Sequence, residues 1–181
     1  GLTDIVPLHR LDRDTAGLVM FSTNPESRPL YYKLFSERKI KKTYLAVARL
    51  NDEFKKVPEG HKWKIENRLK QSNKSFTMIE VDGKANSQSE IELVSKKDEL
   101  GLFKLNPESG KKHQLRMHMM KIGAPILNDR FYPTLLPKET PDFENPLQLL
   151  AFKLSFLDPL SNEQRNFEST KSLLLCLDNN K

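Results

Sequence analysis

The residues best suited to chemistry form a dense group near the start of the 181-residue sequence, from His9 to Gly17 (HRLDRDTAG). Two arginines and two carboxylates fall within five of these residues, and so much charge is costly to bury. Gly17 permits a tight turn before the apolar residues that follow. The group is therefore either an exposed turn whose charges pair with one another or a loop that carries a reactive carboxylate.

A second group, from Gly110 to His118 (GKKHQLRMH), falls on the first turns of a predicted helix, where free backbone N–H groups favour anions. His113 and His118 are five residues apart, which separates them by about 140° around a helix. They do not share a face as a zinc pair at a spacing of four does, so we predict no metal site. The segment also lacks the earlier glycine and the Ser or Thr of a Walker phosphate loop.

A third group contains four cations and a tyrosine, from Arg38 to Tyr44 (RKIKKTY). Basic residues beside an aromatic ring suit contacts with a nucleic-acid backbone and its bases. A solvated helix end followed by a core tyrosine explains the same pattern, so both interpretations stay open. The adjacent carboxylates Asp52–Glu53 and Asp98–Glu99 fall in turns and are predicted to face solvent.

Composition limits the class of protein. The chain is long enough for one domain with its own core, carries a net charge of +6, and is 37% hydrophobic, too apolar for a disordered chain. Basic residues exceed acidic ones by eight over residues 1–122 and fall short by two over 123–181. This asymmetry indicates either a polyanionic partner or a solvated lysine-rich face. No apolar run is long enough to span a membrane.

The ends of the chain and its cysteine content lead to two expectations. Cys176 is the single cysteine and cannot form an internal disulfide, which favours a reducing compartment, and we expect a cytoplasmic protein. The chain starts at Gly1 and is inside a dense motif by its eighth residue. We expect that an upstream portion precedes it, and we treat residues 1–181 as one domain.

Hydrophobic periodicity predicts many strands and few helices. The predicted strands are 18–21, 43–50, 62–71, 75–81, 88–95, 100–105, 147–156 and 165–168. The predicted helices are one from Asn24 to about Lys39, one over 111–122, and a short one after Glu168, with a loop over 51–61 and a proline-rich loop over 133–146. The elements do not alternate regularly, which is typical of an α+β fold with a largely antiparallel sheet.

The same periodicity predicts which side chains share a face. In the strand over 43–50, Leu45 and Val47 are predicted to point one way, and Tyr44, Ala46 and Ala48 the other. In the helix over 111–122, one face is predicted to carry Leu115, Met119 and Ile122. Asn24 is the predicted N-cap of the first helix.

Five segments, in order, resemble one enzyme family, the RluA-type pseudouridine synthases. Residues 7–18 resemble the family signature HRLD-x-x-T-[SA]-G. The other matching segments are 42–46 (K-x-Y-x-A), 110–118 (G-R-x-H-Q-[IL]-R-x-H), 123–132 (G-x-P-[IL]-x-G-D-x-x-Y) and 147–159 (L-x-L-H-A-x-x-L-x-F-x-x-P). The resemblance spans about residues 7–159 and implies a curved, mixed sheet with a central cleft and flanking helices.

The resemblance also implies a reaction. The family converts uridine in RNA to pseudouridine, breaking the N1–C1′ bond and rejoining the base through C5, with neither cofactor nor metal. It implies that Asp12 is the essential aspartate, acting by attack, by stabilisation of the sugar or by deprotonation. Tyr44 matches the tyrosine against the target base, and Arg116 matches the basic residue that pairs with the aspartate and keeps it ionised. Arg10 matches the arginine that fills the gap left by the extracted base.

The expected partner is structured RNA, either rRNA or tRNA, bound by a monomer. We expect the RNA to contact a set of basic residues in the first two-thirds of the chain: Arg10, Arg13, Lys41, Lys42, Lys111 and Lys112. His113, Gln114 and His118 are expected to be mainly structural, as buried polar residues with hydrogen-bond partners.

The sequence departs from the family pattern in places that do not include Asp12, Tyr44 or Arg116. Asn128 replaces a glycine, Leu150 a histidine and Lys111 an arginine, and the family's upstream x-D-K-P motif and S4 module are not in this chain. One alternative is a non-catalytic RNA-binding or RNA-chaperone protein of the same fold. A hydrolase using Asp12 and His9 is disfavoured because the sequence has no nucleophile elbow and no metal set.

Overall fold

The computed structural model describes residues 4–137 and 143–175, so Cys176 and residues 138–142 of the proline-rich segment lie outside the described residues. The strands are β1 (Val6–Pro7), β2 (Ala16–Gly17), β3 (Phe21–Ser22), β4 (Lys41–Arg49), β5 (Lys62–Asn67), β6 (Leu69–Gln71), β7 (Met78–Glu80), β8 (Ser87–Lys97), β9 (Leu100–Pro107), β10 (Leu149–Leu157) and β11 (Gln164–Glu168). The helices are α1 (Arg28–Ser36), α2 (Asp52–Lys56) and α3 (Gln114–Lys121).

Seven strands form the main sheet, in the order β11-β10-β4-β9-β8-β5, with β2 paired to β10. Every neighbouring pair along that order is antiparallel, and the short β2–β10 pair is parallel. The pairs β1–β3 and β6–β7 form separate two-stranded ribbons. The predicted α+β fold with a mixed, mainly antiparallel sheet is confirmed.

Strand β4 separates two hydrophobic cores, as the alternation of its side chains predicts. Ala46 and Ala48 face one core, with Tyr44 packed against it. Leu45 and Val47 face the other. Because β4 lies in the middle of the sheet, its residues fix both layers, and Tyr44 takes its direction from this alternation.

Helix α3 covers the first of these cores with the predicted apolar face. Leu115 and Met119 are buried in it, and Ile122 packs against it. The helix starts three residues later than predicted because His113 is left-handed, with φ of 53°. It ends at Lys121, and Gly123, whose φ is 86°, follows as a glycine often does after a helix.

Helix α1 is shorter than predicted at both ends. Asn24 does not cap it; its side chain accepts a hydrogen bond from the N–H of Glu26 in a turn before the helix. Pro29 stands at the helix start instead. The predicted end at Lys39 is wrong, because Arg38 is already left-handed, with φ of 57°.

Three other local predictions are wrong. The predicted loop 51–61 contains α2, which begins where the Asn51 side chain accepts a hydrogen bond from the N–H of Phe54. The predicted strand 18–21 is replaced by the short strands β2 and β3, and Phe21 is exposed. No helix follows Glu168 in the described residues; instead Leu173 and Leu175 pack against the core on the Leu45 face.

The family departures fit into this fold. Asn128 has a φ of 63°, a left-handed conformation that asparagine adopts more readily than most residues other than glycine. Its side chain donates a hydrogen bond to the carbonyl of Pro146. Leu150 is 1% exposed and belongs to the core on the Leu45 face. Neither substitution disturbs the sheet.

Gly17 fixes the preceding loop to β10. Its φ is 113°, and a Cβ there would lie 2.3 Å from the carbonyl oxygen of Ala151. The N–H of Leu18 donates to that same oxygen. A side chain at Gly17 would therefore break the β2–β10 contact on which the position of the His9–Thr15 loop depends.

We predict that Gly17→Ala lowers the free energy of unfolding by about 3 kcal/mol, from backbone strain and overpacking together. Urea denaturation measures this loss. Gly60→Ala is the matched control, because Gly60 also has a positive φ, 82°, but has nothing within 4 Å of its Cβ position. Equal losses in the two variants would show that the contact with Ala151 has no importance.

Candidate active site

A cleft of about 950 Å³ opens on the sheet beside the His9–Thr15 loop. Its walls come from that loop, from the end of α1, from the start of β4, and from the segment between β9 and α3. Seven of the nine predicted site residues line it: Arg10, Asp12, Lys41, Lys42, Tyr44, Lys111 and Lys112. The fold thus brings together residues from three sequence motifs.

Asp12 is held from two directions. Its carbonyl accepts a hydrogen bond from the N–H of Thr15, closing a turn in which Asp14 has a φ of 70°. Its carboxylate oxygen Oδ2 accepts a hydrogen bond from the N–H of His113 at 2.8 Å. His113 directly precedes α3, so the carboxylate lies at a helix N-terminus, where the free N–H groups and the helix dipole favour negative charge.

Tyr44 lines the same cleft as this carboxylate and lies within reach of its charge. Burial raises the pKa of Tyr44 to about 12, and the negative charge of Asp12 adds to the shift. The phenol is therefore protonated at neutral pH, and its hydroxyl is a neutral group beside an anion. This arrangement places an aromatic ring and a carboxylate on one wall of the cleft.

His9 positions the loop rather than acting with Asp12. Its Nε2 accepts a hydrogen bond from the N–H of Met20 at 3.1 Å, and its ring stacks on Phe35. Burial lowers the pKa of His9, and the charge of Lys42 lowers it further. A neutral ring with one nitrogen already engaged gives no support to a hydrolase that uses His9 as its base.

The cleft is cationic. Six cations line it, against the three carboxylates Asp12, Glu90 and Glu108. Three lining residues are not among the predicted site residues: Arg38, Glu90 and Glu108. Arg38 belongs to the third sequence group, but the sequence does not distinguish a lining arginine from a solvated one. A ligand that carries several anionic groups fits this surface.

Lys42 is the cation that most needs an anion. Burial lowers the pKa of Lys42, and the charge of Arg38 lowers it further. Its Nζ would lie 3.6 Å from a side chain at Gly110, so it reaches across the cleft. No carboxylate of the described residues pairs with it, and a half-buried ammonium without a partner favours an incoming phosphate.

Gln114 organises the loop between β9 and α3. Its Oε1 accepts hydrogen bonds from the hydroxyl of Ser109 and the N–H of Lys111. Its Nε2 donates to the carbonyl of Gln88 and to the hydroxyl of Ser89. The structural role predicted for Gln114 fits these contacts, since both polar atoms of its side chain are fully used.

The structure places Arg116 differently from the expected pair with Asp12. The side chains of Arg116 and Asp129 are each 1% exposed, and Nε and Nη2 of Arg116 both donate to the Asp129 carboxylate. The guanidinium lies over the ring of Phe131, 4.2 Å from its centroid. Among the described residues, Nη1 has no hydrogen-bond partner. The fork of Arg116 fits the two oxygens of Asp129, so the predicted direct pair is corrected to Arg116–Asp129.

Arg13 is the other predicted residue that does not line the cleft. Its side chain is mostly exposed, and its Nε lies 3.8 Å from a carboxylate oxygen of Asp14. Side chains successive in a turn point in different directions, so Asp12 faces inward while Arg13 faces solvent.

His113, directly before α3, and His118, on α3, are both buried. His113 bonds through Nδ1 to the hydroxyl of Tyr132, which also accepts a hydrogen bond from the N–H of Met78. His118 bonds through Nε2 to Asn67, while its Nδ1 has no partner among the described residues. Burial is the main reason why the pKa of each ring falls to about 4.

These two rings make the fold sensitive to acid. A histidine of an unfolded chain titrates near 6.5, so the unfolded state binds more protons than the folded state between that pH and about 4. The free energy of unfolding should therefore fall as the pH drops through this window, by about 2 kcal/mol per histidine at pH 5. Thermal denaturation from pH 7 to 5 measures the loss. His118→Gln should make it shallower, and an unchanged slope would contradict the assignment.

Two negative findings concern only residues 4–137 and 143–175. Within them no three His, Cys, Asp or Glu side chains are grouped as a metal site would require. Within the same ranges no helix has the length and apolarity needed to cross a membrane.

Comparisons with known proteins agree with the fold. The family model described as RNA pseudouridylate synthase matches residues 1–121. A protein of Haemophilus influenzae named as an uncharacterized RNA pseudouridine synthase is 36% identical over 151 residues, which cover 73% of this chain and 61% of that protein. The dual-specificity RNA pseudouridine synthase RluA of Vibrio cholerae is 31% identical over 163 residues, covering 88% of this chain and 62% of the relative.

A solved structure is similar in fold. Human RNA pseudouridylate synthase domain containing 1 superposes with a TM-score of 0.74 at 23% identity, covering 97% of this chain and 78% of that one. The chain belongs to the RNA pseudouridylate synthase family, in its RluA-type branch. It spans about 60% of the length of the Haemophilus and Vibrio relatives.

Proposed function

We propose that this protein isomerises uridine to pseudouridine in structured RNA, with rRNA or tRNA as its substrate and without a cofactor. The observation that carries the proposal is the carboxylate of Asp12, which lines a cationic cleft together with Tyr44 and is fixed there by the N–H of His113. A simple RNA-binding surface has no need of a carboxylate fixed in this way, since a carboxylate repels phosphate.

The reaction is balanced within the nucleotide. The N1–C1′ bond breaks, the base turns, a C5–C1′ bond forms, and the proton of C5 is exchanged for one on N1. A carboxylate facing the ribose serves by attack on the sugar, by stabilising positive charge on it, or by removing a sugar proton. In each case Asp12 touches the reacting sugar, and Tyr44 lies against the base and assists proton transfer.

The target uridine must leave its helix to reach Asp12. We infer that Arg10, on the same loop and in the cleft, occupies the gap in the stack. Lys41, Lys42, Lys111 and the other cations hold the phosphates, with Lys42 deepest. Arg13 contributes at the rim from outside the cleft.

The names of the relatives support two classes of RNA substrate. One relative is named as a tRNA pseudouridine synthase C and another as a ribosomal large subunit pseudouridine synthase D. These names support both tRNA and rRNA as candidates for this chain. The enzyme would act as a monomer in the cytoplasm.

Unmodified transcripts of tRNA and rRNA, incubated with the purified chain and digested to nucleosides, test the proposal by chromatography. We expect pseudouridine to appear in at least one transcript without added metal or cofactor. RNA that binds tightly while every transcript stays unmodified would overturn the proposal in favour of a non-catalytic RNA-binding protein.

The role of the lysines predicts a change in salt dependence. Each phosphate contact contributes roughly 0.7 to 0.9 to the slope of log affinity against log salt. Lys41→Ala with Lys42→Ala should therefore flatten the slope by about one to two units. Lys64→Ala with Lys97→Ala is the matched control, because both lysines are exposed and lie outside the cleft lining. Equal slopes in both double variants would place Lys41 and Lys42 away from the RNA.

A further inference from the structure

An exposed aromatic ring stands beside the cleft, on the ribbon of β6 and β7. Phe76 precedes β7 and is 46% exposed. An isolated exposed phenylalanine is common in proteins and needs no explanation by itself. The surroundings of this ring distinguish it, and the active-site cleft as described so far does not include it.

Several hydrogen bonds hold the tip that carries Phe76. The N–H of Ser72 donates to the carbonyl of Thr77, and the hydroxyls of Ser75 and Thr77 are 2.6 Å apart. The Tyr132 hydroxyl accepts a hydrogen bond from the N–H of Met78, which ties the ribbon to the segment after α3. A surface fixed before binding loses little entropy when a ligand arrives.

The Phe76 ring packs beside His113, the residue that holds Asp12. Its centroid lies 6.3 Å from that of His113, whose N–H binds the carboxylate of Asp12. It lies 4.8 Å from the ring of Phe131. Both neighbours are perpendicular to Phe76, and no ring of the described residues stacks parallel on it, so a flat ligand can still do so.

Cations flank the ring. Lys112 donates from Nζ to the carbonyl of Phe76 at 2.6 Å, and the same Nζ lies 5.6 Å from the ring centroid. Lys74 is exposed two residues earlier. An aromatic ring with adjacent cations is the combination that stacks a base and holds its phosphate. Lys112, predicted only as an RNA contact, therefore also positions the ribbon.

We propose that Phe76 is a stacking platform for an RNA base next to the target uridine. This inference rests on the proposed function for the identity of its ligand. When the target base enters the cleft toward Asp12, a neighbouring base stacks on Phe76, and Lys112 and Lys74 neutralise its phosphate. Phe76 would then contribute to the choice of the uridine through its neighbour.

A short adenosine oligomer with one central uridine tests the platform directly. Phe76→Trp introduces an indole at the proposed contact. Wild type, whose single tryptophan is the partly buried Trp63 packed against the core, gives the baseline. We expect the oligomer to quench the added fluorescence. An oligomer in which the adenosines flanking the uridine are abasic should not quench it.

Affinity supplies the second readout. Phe76→Ala should weaken binding of the intact oligomer by about tenfold, which corresponds to the loss of one stacked base, and Phe76→Tyr should restore it. The abasic oligomer should bind wild type and Phe76→Ala equally. Phe167→Ala is the matched control, because Phe167 is also 46% exposed and lies on β11, outside the cleft lining.

The outcomes separate the two proposals. Equal weakening of the intact and abasic oligomers by Phe76→Ala would show a structural effect and overturn the platform. The platform would also be overturned if Phe76→Ala bound the intact oligomer as tightly as wild type, provided that wild type forms pseudouridine. A wild-type chain that neither binds the oligomer nor modifies any transcript would instead contradict the proposed function itself.

Discussion

Asp12→Asn is expected to reduce pseudouridine formation by at least about a thousandfold, as the loss of a group acting directly on the reacting atoms does. The substitution removes the negative charge but keeps the shape. The amide oxygen of asparagine can still accept the hydrogen bond from the N–H of His113, so the loop and the cleft should survive. RNA affinity should stay within a few-fold of wild type.

Turnover is measured by single-turnover kinetics on an unmodified transcript that wild type converts. RNA affinity is measured by a binding titration. Asp14→Asn is the matched control: Asp14 belongs to the same turn, is 40% exposed and is outside the cleft lining. Asparagine also tolerates its φ of 70°. Substantial turnover by Asp12→Asn would remove Asp12 from the chemistry, and equal losses in the two variants would point to damage to the turn.

Arg116→Met is expected to lower the free energy of unfolding by about 3 to 5 kcal/mol, because it leaves the carboxylate of Asp129 buried without its partner. The side chains of the pair are each 1% exposed. Asp129 also accepts hydrogen bonds from the N–H groups of Phe131 and Tyr132, so its movement would disturb the segment that supports His113. Urea denaturation measures the loss.

A second substitution separates stability from catalysis. Arg116→Met combined with Asp129→Asn removes both charges and keeps an oxygen for the two backbone N–H groups, so it should regain much of the lost stability. Arg116 lies on α3, which directly follows His113, the residue whose N–H holds Asp12, and we propose it as a positioning residue. Turnover by the double variant should remain at least about tenfold low. Full recovery of turnover along with stability would make the role of Arg116 purely structural.

Periodicity in the sequence was sufficient for the long elements. The alternation of Tyr44, Leu45, Ala46 and Val47 correctly assigned the two faces of β4. The spacing of the apolar residues of α3 correctly predicted its buried face. These elements bury regular stripes of apolar side chains, and burial is what the pattern reports.

Other parts of the fold depend on contacts that periodicity does not report. α2 begins with a hydrogen bond from the N–H of Phe54 to the side chain of Asn51. Asparagine is a good helix N-cap, but Pro58 and Gly60 in the same segment favour a loop. The strand expected over 18–21 is divided because Gly17 and Leu18 bind β10 instead.

The candidate site shows the same division. Motif resemblance and the basic segments together selected nine residues, and seven of them line one cleft. They did not reveal that the N–H of His113, 101 residues away in sequence, holds Asp12, or that Arg116 prefers Asp129. A left-handed histidine and a bidentate pair between distant segments are tertiary features, and no local pattern encodes them.

The most direct test of the central claim is a map of pseudouridine at single-nucleotide resolution in total RNA from cells that lack the gene. The deleted strain would be complemented with wild type, with Asp12→Asn or with Asp14→Asn. We predict that one or more uridines of rRNA or tRNA lose the mark on deletion and regain it with wild type and Asp14→Asn only. Restoration of those marks by Asp12→Asn would contradict the assignment of Asp12 as the catalytic carboxylate.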